Sequence, residues 1–176
     1  MEPKRNNKAF YTIPFVWNKT LWVMTFAVFA LWIGLSGYAI VKIITEANTA
    51  ENVSLLLMVN LIFLPMTIIC EGLAPQRLEI GEDKIVILRR YKSVVLPREQ
   101  IKSVTSLPSV AMRGAIRTFG VGGFFGYFGQ YYTPSIGSFR LYATSFNNLF
   151  LIKKWDGKSI VVSCAEPERM WQFIEQ

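Results

Sequence analysis

Residues 119–132, FGVGGFFGYFGQYY, set five glycines among seven aromatic rings, and a glycine-rich run is where a phosphate cradle is sought first. The spacing does not supply one. Glycines 120, 122, 123 and 126 miss the G-x-G-x-x-G pattern and follow no clear strand, and no G-x-x-x-x-G-K-S/T run is present. The chain also has no histidine, so it can form no Ser-His-Asp triad, no Cys-His pair and no imidazole metal site. Asp83 and Asp156 fall in turn-like stretches whose geometry already accounts for them. Glu166 and Glu168 suit the positive end of a terminal helix. Cys70 and Cys164 lie in no paired motif and read as reduced, structural thiols. The inventory points away from catalysis, with no cofactor and no metal expected; an enzyme with an unrecognised site is kept as an alternative.

Binding is the chemistry these residues suit. Phe119, Phe124, Phe125, Tyr127, Phe128, Tyr131 and Tyr132, with Arg113 and Arg117 just ahead of them, make up the candidate interaction loop. Aromatic rings are stable at a membrane–water interface, and glycine lets a chain fold tightly enough to present or tuck them. Compact self-packing is the competing reading of the same loop. From residue 72 onward fourteen Lys and Arg stand against eight Asp and Glu, and cations near an anionic leaflet gain about 1 kcal/mol each. Solubilising surface charge explains the same excess equally well. Nucleic acid ranks third as a partner, because the aromatic stretch itself contains no Lys or Arg to accompany base stacking.

The elements that must position this loop fall into two groups. Hydrophobic residues make up 52% of the 176 and charged ones 18%, and the apolar ones concentrate before residue 71. Leu21–Val41 is uncharged over twenty-one residues and Val53–Cys70 over eighteen; at roughly 1.5 Å per residue the first spans the bilayer's hydrocarbon core. The first run is too long and begins too late for a signal peptide. Lys4, Arg5, Lys8 and Lys19 precede it, IITEANTAEN between the runs carries only Glu46 and Glu51, and Arg77, Lys84, Arg89, Arg90 and Lys92 follow. The positive-inside rule then places both termini in the cytoplasm. The expected organisation is a basic cytoplasmic segment at 1–19, a transmembrane hairpin at 20–71 with helices near 21–42 and 53–70, and a cytoplasmic domain at 72–176. Ala30, Gly34 and Gly37 have the spacing that allows close helix approach; Asn60 reads as a bond across to a group such as Ser36 or Thr25 ahead of the alternative, a ligand or ion path.

After an EGLAPQ linker the period becomes that of short strands: Leu78–Ile80, Ile85–Arg89, Ser93–Leu96 and Ile101–Leu107, then a long connection from Pro108 to Gly137 holding the candidate loop. Ser138–Ala143 alternates so that one face should be buried. Leu149–Lys154 and Ser159–Cys164 flank Asp156-Gly157, a hairpin signal. A terminal helix from Pro167 carries an apolar stripe of Met170, Phe173 and Ile174.

Two helices ahead of LEIGEDKIVI, then VVLPREQIKSV, FGVGGFFGYFG, GSFRLYAT, LFLIKKWDGKSIVVS and EPERMWQFI form an order that resembles the bacterial membrane-anchored PH-domain proteins. The resemblance covers most of residues 78–176. It implies an α+β membrane protein: a transmembrane helical hairpin, then a pleckstrin-homology-like antiparallel barrel or sandwich of about seven strands with a C-terminal capping helix. It brings no catalytic residue. Eukaryotic PH domains often hold a phosphoinositide in a cationic loop between the first two strands; Gly81-Glu82-Asp83-Lys84 is short and mostly acidic here, which argues against that pocket. The expected function is a non-enzymatic, multi-pass protein of the bacterial inner membrane whose domain binds a protein partner or anionic headgroups. A small channel or transporter subunit is the other alternative, and it would need homo-oligomerisation through the hairpin.

Overall fold

The computed structural model describes residues 11–46 and 49–175; Lys4, Arg5 and Lys8 of the basic N-terminus and part of the inter-helix turn lie outside them. Strand β1 (Tyr11–Pro14) leads into helices α1 (Lys19–Thr45) and α2 (Thr49–Leu73). Asn18 caps α1, its side chain accepting from the Leu21 amide at 2.8 Å, which satisfies one orphan donor of the first turn. At roughly 1.5 Å per residue the helices are about 40 and 37 Å long. Both are apolar on every side, and only 6% and 11% of their most apolar windows are buried. Both are long and apolar enough to cross a membrane.

The two helices are joined by a polar contact in an apolar stripe. Asn60 donates to Ser36 at 3.4 Å and accepts from the Trp32 indole at 3.2 Å, and the Trp32 and Phe63 rings stack at 6.0 Å. Ser36 is thus the expected partner; Thr25 is not, being engaged elsewhere. The small residues do not make the contact either. A side chain at Gly34 or Gly37 would meet nothing within 4 Å, so that stripe faces away from α2.

The remaining elements are β2 (Arg77–Ile80), β3 (Lys84–Leu88), β4 (Val94–Pro97), β5 (Ile101–Leu107), β6 (Ile116–Gly122), β7 (Tyr127–Thr133), β8 (Gly137–Ala143), β9 (Leu149–Lys154), β10 (Ser159–Ser163) and α3 (Pro167–Glu175). They form a four-stranded sheet, β1-β2-β3-β4, against a six-stranded one, β5-β9-β10-β8-β7-β6. This is the PH-like sandwich with a terminal helix, built from ten strands rather than about seven. Pairing is antiparallel except between β8 and β10, which run parallel. Met170 and Phe173 of α3 enter the core between the sheets with Ile85, Ile87, Phe150, Ile152 and Val162.

Three differences matter for function. Residues 11–14 are not free: β1 pairs with β2 in register Tyr11↔Ile80 to Pro14↔Arg77, covering an edge that would otherwise be open. The expected linker after α2 is a buried joint: Ala74 and Pro75 are buried, and Gln76 donates to the Leu88 carbonyl at 2.9 Å. The middle of the larger sheet, β8 to β10, also buries both faces. Tyr142 points into the inter-sheet core, while Phe139, Leu141 and Ala143 are covered by Met112, Leu107 and Ile136.

Candidate functional site

The candidate loop is a β-hairpin rather than a long connection. Gly120 lies directly opposite Gly129 in the β6–β7 ladder, and both hold positive φ, 127° and 128°, a conformation that glycine reaches without a Cβ penalty. A Cβ on Gly120 would overlap the Phe128 carbonyl, and one on Gly129 the Phe119 carbonyl. These glycines let two backbones cross in close contact.

The hairpin's tip, residues 123–126, closes with Gly123 donating to Gly126 at 3.0 Å and docks on α1. The Thr25 hydroxyl, buried, donates to the Gly123 carbonyl at 3.4 Å and accepts from the Phe125 amide at 3.3 Å. Phe124 and Phe125 stand 5.8 and 6.1 Å from the Phe29 ring, and Phe125 meets Trp17 edge-on at 6.0 Å. The contact runs about 9 to 15 Å along α1 from Lys19, counting the residues to Thr25 and Phe29.

The predicted site residues therefore divide. Phe124 and Phe128 are buried in the inter-sheet core, with Phe125 packed against it. Tyr131 is buried on the opposite face, its hydroxyl donating to the Val121 carbonyl at 2.9 Å; burial pushes its phenol above the ordinary value, with the Arg117 cation pulling the other way. Tyr127 packs on Phe146 at 4.6 Å. Phe119 on the edge strand β6 and Tyr132 on β7 are exposed, 78% and 42%. Arg117 reaches over Gly122, and Arg113 is an exposed cap after the helical turn Ser109–Met112. The nine do not form one surface.

A second clamp holds α2. Tyr91, in the β3–β4 turn, donates its hydroxyl to the Ile68 carbonyl at 3.1 Å and its amide to Gly72 at 3.1 Å. Arg90 pairs with Glu71 at 2.9 Å, and Arg89 lies over the Tyr142 ring at 5.5 Å. The strand end at Thr144 is stitched to the root of α1, its hydroxyl donating to Val16 at 2.8 Å. Both helix roots, the hairpin tip and the Arg89-Arg90-Tyr91-Lys92 turn thus meet at one end of the sandwich. Phe29, Trp17 and Tyr91 are positioning residues that sequence reasoning missed, with nothing local to single them out, and Thr25, expected as a partner of Asn60, instead holds the hairpin tip. Among the described residues no group of three His, Cys, Asp or Glu side chains is placed to share a metal ion.

A family model described as the bacterial PH domain matches residues 76–176. No curated protein and no solved structure matches the chain.

Proposed function

The chain belongs to the bacterial PH-domain family, and on that premise we propose that it is a non-enzymatic binding module anchored in the bacterial inner membrane, with both termini cytoplasmic. One observation carries the reading. An uncharged tip of glycine and phenylalanine lies alongside the first two to three turns of α1 with its turn backbone bonded to itself and to Thr25. Backbone at membrane depth has no water to bond, so irregular chain is tolerated there only when its polar groups are satisfied by protein. Trp17 and Trp22 sit at the same level, where aromatic belts form. Arg89, Arg90 and Lys92 are placed at the same end, within reach of anionic headgroups. The domain is then held rigidly on the bilayer, and its opposite end is presented to the cytoplasm.

Topology is tested by labelling. In intact spheroplasts a membrane-impermeant maleimide should modify Glu51→Cys and leave Glu175→Cys untouched until the cells are lysed. Labelling of Glu175→Cys from outside, or recovery of the protein in the soluble fraction, would overturn the reading.

A further inference from the structure

The end of the sandwich remote from the helices is open. On its core-facing side β8 carries Tyr142, Arg140 and Ser138 by alternation; Tyr142 is in the core, and Arg140 lies in register with Gln130 of β7 and Ile160 of β10. Beyond Ile160 the wall formed by the larger sheet turns polar. A groove of 490 Å³ opens there between Val94, Val95 and Leu96 of β4 and the polar set Gln130, Ser138, Arg140, Lys154, Lys158 and Ser159, a volume within the roughly 300–1,000 Å³ of ligand sites.

Three cations line it and one carboxylate answers them: Asp156 pairs with Lys154 at 3.3 Å and Lys158 at 3.0 Å. Among the described residues no carboxylate pairs with Arg140. Across the groove, β4 is the edge strand of the smaller sheet and pairs with β3 alone. Its Leu96 side chain is buried and Val95 is 52% exposed. An unpaired strand edge of this kind is a template for another chain.

We infer that this groove docks an acidic peptide in extended conformation, which adds a fifth strand beside β4 and turns alternate carboxylates toward Arg140, Lys154 and Lys158. Main-chain bonds supply affinity in such an addition, and the side chains of one face supply specificity. Charge complementarity selects the occupant. On its β8 side the groove stands away from the bilayer, Ser138 lying at the far end of β8 from Thr144 and the α1 root, about 20 Å away at strand rise, and an extended chain is favoured over a lipid surface because only a peptide backbone can pair with the free edge of β4. The chain's own N-terminal ten residues are excluded by charge, carrying Lys4, Arg5 and Lys8 against Glu2.

The inference rests on the binding-module reading, and its test is independent of topology. The full chain in nanodiscs is titrated with a fluorescein-labelled octapeptide alternating Glu and Thr. Binding is expected to weaken roughly tenfold or more in Arg140→Glu/Lys158→Glu, where the charge pattern is reversed. Peptide N-methylated along one edge should lose binding, while methylation along the other edge is tolerated. The inference is overturned by affinity indifferent to charge reversal, by equal tolerance of both methylated peptides, or by inorganic polyphosphate displacing the peptide while the N-methylated forms still bind. If Glu51→Cys and Glu175→Cys label as expected and the peptide does not bind, the groove assignment alone falls.

Discussion

Replacing Thr25 by valine isolates the contact on which the domain's placement depends. Valine keeps the β-branched shape and removes only the hydroxyl, which is the hydrogen-bond partner of both the Gly123 carbonyl and the Phe125 amide. Thr25 and Gly123 are buried and Phe125 is half-buried, so both groups become unsatisfied away from water. An unsatisfied buried group costs about 1–3 kcal/mol. Both bonds are long, at 3.4 and 3.3 Å, which argues for the low end, about 1 kcal/mol apiece and about 2 in total. Every 1.4 kcal/mol is a factor of ten, so the undocked tip should become roughly thirty times more populated. Hydrogen exchange followed by mass spectrometry on the full chain in nanodiscs reads this directly. Peptides spanning 119–128 should exchange about thirty-fold faster in Thr25→Val, with β9 and β10 unchanged, because local opening is reported where it occurs. Thr25→Ser, which restores the hydroxyl, should return protection to near the parent value. Equal exchange in Thr25→Val and the parent would refute the docking argument.

Other substitutions probe the same framework. Gly120→Ala forces a Cβ onto the Phe128 carbonyl at a φ of 127°; strain alone costs about 1–3 kcal/mol, so denaturant unfolding in detergent should show a loss of about 3 kcal/mol or more. Hydrogen bonds from Lys158 hold the Asp156 carboxyl at about 2, against an ordinary value of 3.8. A lowered folded-state value gives stability that is present above about pH 4 and fades as pH falls toward 2; Asp156→Asn should remove this segment of the acid-unfolding profile and leave the neutral range level. Burial pushes the Cys164 thiol up to about 11, so iodoacetamide at pH 8 should spare it in the folded protein and alkylate it after denaturation.

Much of the architecture was legible from periodicity. β2 to β5, β8 to β10 and α3 fall within one or two residues of where alternation, Pro97, Asp156-Gly157 and Pro167 put them, and Asn60 bonds to Ser36 across the helix pair. The β6–β7 hairpin was illegible because its glycines erase the period-2 signal. At 120 and 129 the strands have no side chain to alternate, and Phe124, Phe128 and Tyr131 are buried on two different faces. β1 was hidden for another reason: YTIP becomes a strand only because β2 offers an edge more than sixty residues later, and long-range pairing leaves no local trace. The expected buried face of β8, Phe139, Leu141 and Ala143, is buried; Tyr142 on its other face is buried as well, because the smaller sheet packs over it. Most of the candidate rings pack inside the protein, and Thr25 and Phe29, which fix the place of the hairpin tip, belong to α1.

The central claim is that the Gly-aromatic tip lies at membrane depth against α1. A photoreactive benzoylphenylalanine at position 125, in the full chain reconstituted into phosphatidylethanolamine–phosphatidylglycerol vesicles, tests it most directly. Adducts are expected with Trp17, with α1 residues near Thr25 and Phe29, and with lipid acyl chains. Adducts confined to the β-sandwich or to soluble proteins added outside the vesicles would contradict it.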